Sequence, residues 1–302
     1  MKRNGIINNT IYFIAVLLIF CVLSFSAVGE DYTENNNRGD SLEIIYIANA
    51  GFCVKSAEAT ILFDAIFENE APISDEILPP PPSEYDNPTG AALSALINAE
   101  SPFETIDLVF VTHCDLDHFT VREIQQFLTI HTTTSVICPD QVQNLLPGTK
   151  NEYATNKEQV IPITPGPGTE QFVEIRGIQI TVLGLRHTGG REEIALNGYL
   201  VNLAGFKLLH LGDAWAHINN FAPFEWLPRE KVDVLFVPYW LISDNKFIQV
   251  LQNFFRARYI IVMHIRKGET NKIRNRIEKL QPAFLPSELL LFERKMDKKI
   301  LK

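Results

Sequence analysis

Cysteine is scarce in this sequence, and the cysteines present form no recognisable framework. Three of the 4 cysteines in 302 residues lie beyond the N-terminal hydrophobic segment: Cys53, Cys114 and Cys138. An odd number cannot all pair within one chain, and their spacing matches no cysteine-rich zinc module. The apolar, β-rich surroundings of Cys53 and Cys138 predict core positions. Cys114 lies among acidic residues and histidines, where a metal ligand or a redox-sensitive thiol would also lie. A residue between two metal ligands on a loop, however, usually points away from the metal.

Basic residues are also few. The 27 Lys and Arg against 36 Asp and Glu give a net charge of −9, and loss of a leader containing Lys2 and Arg3 would make it −11. Because phosphate binding needs a basic face, nucleic acid is not an expected partner. The basic stretch at residues 294–302 is interpreted as a solvated tail.

Two common catalytic motifs are absent. Gly184, Gly189 and Gly190 lack the spacing of a phosphate-binding loop, and there is no Gly-x-Ser-x-Gly elbow. The sequence also has no internal repeat. These absences argue against a P-loop enzyme and against a serine hydrolase of the elbow type.

One long hydrophobic run is present, at residues 11–25. It follows Lys2 and Arg3 and precedes Ala27, Val28 and Gly29, small residues where a signal peptidase cuts. The pattern predicts a signal peptide over residues 1–29 and export to the periplasm or the outside. The run is short for a permanent span, so membrane contact is expected only if the leader is an uncleaved anchor.

The remaining chain is long enough for one large core. About 270 residues, with 46% hydrophobic residues in the whole sequence, predict a single domain. We place a flexible linker at 30–41, the domain at 42–293 and the tail at 294–302.

The hydrophobic pattern predicts strands at both ends of the domain. β-Rich segments at 43–47, 52–55 and 60–64 predict a meander. Strand-like and helix-like segments alternate between residues 90 and 146, and mostly antiparallel strands follow between 159 and 211. This arrangement favours two packed sheets with helices outside, an α+β fold.

Residues 68–88 break the pattern. They are acidic, contain four consecutive prolines from Pro79 to Pro82, and have no hydrophobic period. Such a stretch is predicted to be extended and exposed. A functional lid and a mobile excursion are both compatible with it.

Residues 111–119, after the apolar run 106–110, carry the most chemistry. Their ligand-type residues are His113, Asp115, Asp117 and His118. Neutral imidazole and carboxylate bind divalent cations, and a strand end can turn several of them toward one point. The pattern predicts half of a metal site. The alternative is a polar loop whose carboxylates cap the helix beginning near Thr120.

Three later predicted strands also end in ligand-type residues. These are His187, Asp213 and His264. A lone histidine at a strand end is usually a hydrogen-bonded surface or core residue. Together with the first cluster, however, they make seven candidates, enough for two adjacent metal ions with a bridging carboxylate.

The order of these residues resembles a known superfamily. Thr-His-x-Asp-x-Asp-His after an apolar strand, then His, Gly-Asp and a final His is similar to the metallo-β-lactamase-fold hydrolases, most of all the broad bacterial branch related to ascorbate-6-phosphate lactonase. The resemblance covers most of the domain, including residues 46–64 and 232–264. It implies a four-layer αβ/βα sandwich that holds one or two metal ions, usually Zn²⁺, at one edge of its sheets.

The resemblance also implies a role for each ligand. His113 and His187 would bind the first metal and Asp117, His118 and His264 the second, with Asp213 bridging them. Asp115 stands where the superfamily motif usually has a histidine, although some members have aspartate there. A carboxylate hardens the site, which could favour Mn²⁺ or Fe²⁺, weaken the first metal or leave one ion bound.

A mechanism follows from such ligands. A divalent metal lowers the pKa of bound water to about 7, which supplies hydroxide at neutral pH without a nucleophilic side chain. Asp117 is predicted to orient that nucleophile or move its proton.

His217 is a candidate to protonate the leaving group or contact substrate, or else is an exposed residue at a helix end. Asp64 either orients a ligand or caps its strand. Tyr239 and Trp240 wall the pocket or belong to the core or rim.

Two functions are compatible with the sequence. The first is an exported metal-dependent hydrolase acting on a small ester, lactone, amide or phosphodiester. The second is a non-catalytic metal-binding or ligand-sensing relative in which Asp115 has disabled one metal position. The sequence leaves the substrate, the metal and the oligomeric state open, because one fold serves many chemistries.

Overall fold

The first of two sheets is built mainly from the N-terminal half of the chain. The computed structural model describes residues 41–68, 84–146 and 158–302. Seven strands form this sheet within the described residues: β1 (Leu42–Ala48), β2 (Gly51–Lys55), β3 (Thr60–Phe63), β4 (Leu108–Phe110), β5 (Ser135–Cys138), β6 (Val160–Pro162) and β14 (Lys298–Leu301). Their order is β14-β1-β2-β3-β4-β5-β6. Pairs are antiparallel from β14 to β3 and parallel from β3 to β6.

The second sheet is built from the C-terminal half. Its strands are β7 (Glu170–Ile175), β8 (Ile178–Leu185), β9 (Leu196–Leu203), β10 (Phe206–His210), β11 (Lys231–Pro238), β12 (Arg256–Met263) and β13 (Glu288–Leu291). The order is β13-β12-β11-β10-β9-β8-β7. Strands β7 to β10 are antiparallel, as predicted for residues 159–211, whereas β10 to β13 are parallel.

Helices cover the outer faces of the sheets. They are α1 (Gly90–Ile97), α2 (Val121–Ile130), α3 (Asp140–Leu145), α4 (Ile218–Phe221), α5 (Trp240–Ser243), α6 (Asn245–Phe254) and α7 (Thr270–Phe284). Helix α1 begins at an ordinary cap, since the Thr89 side chain accepts a hydrogen bond from the Ala92 N–H. Helices α2 and α6 each bury one apolar face, as their sequence pattern predicts.

Three buried clusters give the molecule four layers. The inner faces of both sheets meet in a core that contains Phe52 and Phe110 from the first sheet and Tyr199 and Phe236 from the second. A second cluster joins the first sheet to α1, α2 and α3, and a third joins the second sheet to α4, α5, α6 and α7. The α+β sandwich predicted from the sequence is therefore confirmed.

The C-terminal tail differs from its prediction. Residues 298–301 form β14, which pairs antiparallel with β1, so this part of the predicted solvated tail is an edge strand. The reason is that Leu301 is buried in the core between the sheets while Ile300 stays 67% exposed. Burial of Leu301 on the inner face favours this register, because a one-residue slip would move Leu301 to the exposed face.

The predicted leader and most of the linker, residues 1–40, lie outside the described residues. Most of the predicted extended stretch, residues 69–83, also lies outside them. Within the part of the chain that the structure describes, no helix has both the length and the apolar character needed to cross a membrane.

Candidate metal centre

Four strand ends bring the seven predicted ligands together. The loop after β4 carries four of them, and β8, β10 and β12 are each followed by one more. Their donor atoms form overlapping groups with atoms within 4.8 Å of one another: His113, His118 and Asp213; His113, Asp115 and His187; Asp117, His118 and His264. Sequence-distant carboxylates and imidazoles thus meet at one edge of the sandwich.

Four donor atoms form a compact set that we call the second position. His118 Nε2 and His264 Nε2 are 3.1 Å apart, and each lies 3.2 Å from Asp213 Oδ1. Asp117 Oδ2 lies 3.3 Å from His264 Nε2 and 3.9 Å from His118 Nε2. Ligands of a tetrahedral metal with bonds near 2.0 Å are about 3.3 Å apart, so this set has the size of a metal site.

A looser set forms the first position. Asp115 Oδ2 lies 3.6 Å from both His113 Nε2 and His187 Nε2. Asp213 Oδ2 lies 3.8 Å from His187 Nε2, whereas Asp213 Oδ1 faces the second position. The two oxygens of Asp213 therefore face different positions, which is the arrangement of a bridging carboxylate.

Several buried donor atoms at these positions lack a hydrogen-bond partner. They include His113 Nε2, His187 Nε2 and Asp213 Oδ1, on residues at most 6% exposed. A buried polar atom without a partner costs about 1–3 kcal/mol. Imidazole and carboxylate donors left free at these spacings fit a divalent cation, because a cation would satisfy them together.

Neighbouring groups fix the tautomers of three imidazoles. The Thr112 hydroxyl donates to Asp64 Oδ2 at 2.7 Å, so it must accept from His113 Nδ1–H at 2.9 Å. The His118 Nδ1–H donates to Asp64 Oδ2 and the His187 Nδ1–H to the Thr188 carbonyl. In the neutral form of each ring, with its proton on Nδ1, the Nε2 lone pair is directed toward the centre.

Asp64 is a positioning residue rather than a simple strand cap. It follows β3, is fully buried, and also accepts a hydrogen bond from the Thr112 N–H at 2.8 Å. Burial raises the pKa of its carboxyl, but His118, His210 and His113 together lower it overall. The first of the two roles predicted for Asp64 is the one its contacts support.

Asn49, in the turn between β1 and β2, holds Asp117. Its amide donates to the Asp117 carbonyl at 3.1 Å and to Asp117 Oδ2 at 3.0 Å. Its own carbonyl accepts from the His264 N–H at 3.1 Å. Asn49 thus connects two residues of the second position through the β1–β2 turn.

The carboxylates set the charge of the imidazoles. Burial alone would lower the pKa of His118 and His264, yet the surrounding aspartates, Asp213 foremost, raise that of His118 strongly and that of His264 to about 9. At the first position burial and His113 lower the pKa of His187 to about 4. The second position therefore has the stronger negative field and the greater attraction for a cation.

Asp115 has a partner that the sequence did not suggest. Its Oδ1 accepts from Arg191 Nη2 at 3.0 Å, and its Oδ2 accepts from Arg191 Nη1 in a still shorter contact. Burial raises the pKa of Asp115, but His113 and Arg191 together lower it overall. Arg191 follows the turn 188–190, and its side chain is 30% exposed.

Positive φ angles occur where the backbone delivers two of these ligands. His264 has φ +59°, a value that is unfavourable for a residue with a side chain. Gly212, with φ +53°, precedes Asp213, and a Cβ there would lie 2.9 Å from Thr112 Cβ and Oγ1. Only glycine allows the β10 end to approach the 111–119 loop so closely.

Two aromatic rings pack against His264 at the second position. Trp240 and Tyr85 both approach the His264 ring edge-on, with ring centroids 5.1 Å and 4.1 Å away. Tyr85 is 7% exposed, so this end of the stretch predicted to be exposed is instead buried against a candidate ligand. Tyr239 packs against Trp240 rather than on His264.

Two other candidates lie outside these groups. His217 precedes α4, where its Nδ1 accepts from the Asn219 N–H and its ring stacks on Trp215 at 4.2 Å. Its catalytic role stays a prediction.

Cys114 is buried with its Sγ 4.0 Å from Gln141 Oε1 and belongs to none of the ligand groups. Cys53 and Cys138 are buried free thiols in the core, as predicted.

Comparison with known proteins agrees with this geometry. Residues 43–264 match the family model described as "Beta-lactamase superfamily domain". The protein belongs to this family. The match runs from β1 to the end of β12 and includes all seven candidate ligands, so the metallo-β-lactamase-fold superfamily predicted from the motif is confirmed. No match was found among curated proteins.

Solved structures with low sequence identity share the fold of this superfamily member. Igni18, a metallo hydrolase from Ignicoccus hospitalis, is 15% identical, with a TM-score of 0.53 over 87% of this chain and 99% of its own. An isothiocyanate hydrolase from Delia radicum gut bacteria is 12% identical, with a TM-score of 0.57 over 85% and 98%. CmlA, a diiron β-hydroxylase from Streptomyces venezuelae, is 12% identical, with a TM-score of 0.50 over 89% and 55%. The narrower likeness to ascorbate-6-phosphate lactonase is not shown by these matches.

Proposed function

We propose that this protein is an exported metal-dependent hydrolase of a small ester, lactone, amide or phosphodiester. The observation that carries the proposal is Asp213, whose two oxygens face two sets of imidazole and carboxylate donor atoms, several of them unpartnered, at or near metal-ligand spacing. Its membership of the β-lactamase superfamily domain family supports hydrolysis as the reaction class.

We assign His113, Asp115 and His187 to the first metal position and Asp117, His118 and His264 to the second, bridged by Asp213. A divalent cation bound there lowers the pKa of coordinated water to about 7 and polarises a carbonyl or phosphoryl oxygen. Zn²⁺ is the proposed metal, one or two ions, since imidazole and carboxylate together suit it. Mn²⁺ or Fe²⁺ is the alternative, supported by the carboxylate-rich donor set and by the diiron neighbour CmlA.

Within the chain, Asp117 has the geometry to orient water and hold its proton. The Asn49 amide keeps Asp117 Oδ2 at 3.3 Å from His264 Nε2, so this oxygen lies among the donor atoms rather than in solvent. Asp64 and Thr112 keep the imidazoles of His113 and His118 oriented. Tyr85 and Trp240 pack edge-on against His264, and an aromatic cover of this kind would keep water from that side and strengthen the electrostatic interactions at the site.

Metal content and reporter hydrolysis test this proposal. The purified mature protein should bind at least one equivalent of Zn²⁺, Mn²⁺ or Fe²⁺ and hydrolyse a phosphodiester, lactone or β-lactam reporter. Activity should be lost on chelation and in the His118→Ala variant. Binding of less than one equivalent, with no hydrolysis of any reporter in added metal, would rule out the enzyme.

One observation favours the non-catalytic alternative. Both oxygens of Asp115 are engaged by Arg191, which would suit a relative whose first position is disabled. Stoichiometric metal binding without hydrolysis of any reporter would support that alternative.

The export proposal rests on the sequence pattern of residues 1–29. Its test is the mass of the mature protein recovered from cell fractions. Cleavage near Gly29 and recovery from the periplasm or medium would agree with it, and an intact N-terminus in the cytoplasm would contradict it.

A further inference from the structure

Arg191 shares a donor atom with the first metal position. Asp115 Oδ2 accepts from Arg191 Nη1 and is also the oxygen that lies 3.6 Å from His113 Nε2 and from His187 Nε2. The second oxygen, Oδ1, accepts from Arg191 Nη2 at 3.0 Å. The guanidinium therefore holds the carboxylate by a two-bond fork, the strongest form of this ion pair.

The loop that carries Arg191 is fixed on both sides. The Thr188 N–H donates to the Asp213 carbonyl at 2.9 Å, and His187 forms an isolated β-bridge with Ala214. Beyond Arg191, the Gln141 side chain bonds to the Glu193 carbonyl at 2.6 Å and to the Ala195 N–H at 2.8 Å. The guanidinium is thus held beside the first position by the fold.

The second position has a different electrostatic environment. There Asp117 Oδ2 accepts its hydrogen bond from the uncharged amide of Asn49. Asp117 keeps its full negative charge toward the donor set, whereas the charge of Asp115 is offset by Arg191. A unit charge at ion-pair distance outweighs a neutral hydrogen bond in its effect on a bound dication.

We propose that the Asp115–Arg191 ion pair makes the two metal positions unequal. The second position binds the first divalent cation, and the first position binds the next one at least about tenfold more weakly. Arg191 is thus a positioning residue that acts through Asp115. The inference rests on the metal-binding part of the proposed function and is independent of whether the protein hydrolyses a substrate.

Zn²⁺ titration of the metal-free protein against a chromophoric chelator, with native mass spectrometry for stoichiometry, tests this inference. The parent should bind one equivalent tightly and a second at least about tenfold more weakly. Arg191→Gln should tighten the second equivalent by about tenfold and leave the first unchanged, because the offsetting charge is removed. Unchanged tight binding also shows that the variant is folded.

Matched variants separate charge from general damage. Arg191→Lys keeps the positive charge and should retain the parent's ratio of affinities more closely than Arg191→Gln. Arg274→Gln removes an arginine that pairs with Glu293, away from the centre, and should change neither affinity. His264→Gln should abolish the tight equivalent, and His187→Gln the weak one.

Three results would overturn the inference. These are equal affinities in the parent, weaker or unchanged binding of the second equivalent in Arg191→Gln, and loss of the tight equivalent in His187→Gln. The proposed function is tested by a different result from those that test this inference. Unequal Zn²⁺ binding without hydrolysis of any reporter would leave the inference standing and reject the hydrolase.

Discussion

His118 Nδ1 lies 2.8 Å from Asp64 Oδ2, and this buried contact connects the end of β3 to the second metal position. Because Asp64 also accepts from the Thr112 hydroxyl, one carboxylate fixes His118 directly and His113 through Thr112. Asp64 therefore orients one candidate ligand of each metal position, although Asp64 is not itself a candidate ligand.

Replacing Asp64 should weaken metal binding although Asp64 is not a ligand. Asp64→Asn keeps the shape but removes the charge that holds His118 Nδ1–H, and we expect Zn²⁺ affinity to fall about 10–100-fold. Competition with a chromophoric chelator measures the Zn²⁺ affinity. Asp107→Asn is the control, since Asp107 also accepts a backbone N–H, that of Thr60, but outside the centre. Equal affinities of the Asp64→Asn variant and the parent would contradict this role.

Removing the Asn49 side chain should loosen Asp117. Asn49 has φ +50°, so Asn49→Gly deletes the amide without adding backbone strain. The tighter Zn²⁺ equivalent should bind about tenfold more weakly, because Asp117 Oδ2 loses its 3.0 Å hydrogen bond from the Asn49 amide. Arg176→Gly places a glycine at a similar φ in the β7–β8 turn and should leave binding unchanged. An unaltered tight equivalent in Asn49→Gly would reject the assignment.

The meeting of the candidate ligands at one edge was predictable because it follows from local patterns. An apolar strand followed by a polar loop marks a strand end, and His187, Asp213 and His264 each stand at such an end. Strands β10, β11 and β12 are parallel, so their carboxyl ends lie at one edge. The sequence therefore contained both the donors and the rule that brings them together.

The partners of the ligands were not predictable in this way. Arg191 is one arginine in a short turn, and its pairing with Asp115 depends on how two loops from different sheets meet. Tyr85 ends a stretch without any hydrophobic period, yet it is buried against His264. His210 lies inside an apolar strand, where its hydrogen bonds to Ala50 and Gly212 arise from tertiary contacts. No sequence signal reports such long-range contacts.

Stability should depend on His210 at acidic pH. Burial lowers its pKa to about 4, against about 6.5 in an unfolded chain. Between these values the unfolded state binds a proton that the folded state does not, so the free energy of unfolding falls as the pH falls. The contribution is about 3 kcal/mol over the whole window.

Urea unfolding at pH 7 and pH 4 measures this effect. His210→Gln keeps one donor and one acceptor for Ala50 and Gly212 but cannot be protonated. Its free energy of unfolding should therefore fall by about 3 kcal/mol less than the parent's between the two pH values. The same fall in both proteins would show that His210 is not a source of acid sensitivity.

Gly212 should tolerate alanine less well than another glycine with a similar backbone. At φ +53° a side chain is unfavourable, and the added Cβ would also lie 2.9 Å from Thr112 and from Leu196 Cδ1. Gly177 has φ +76° with nothing within 4 Å, so Gly177→Ala reports the backbone effect alone. We expect a loss of about 1 kcal/mol for Gly177→Ala and about 3 kcal/mol for Gly212→Ala, measured by urea unfolding.

Metal binding is the second measurement. Because Asp213 follows Gly212 and faces both positions, Gly212→Ala should also weaken the binding of both Zn²⁺ equivalents, whereas Gly177→Ala should weaken the binding of neither. Equal losses of stability in the two variants, with metal binding intact, would show that the close approach to Thr112 does not position the bridging carboxylate.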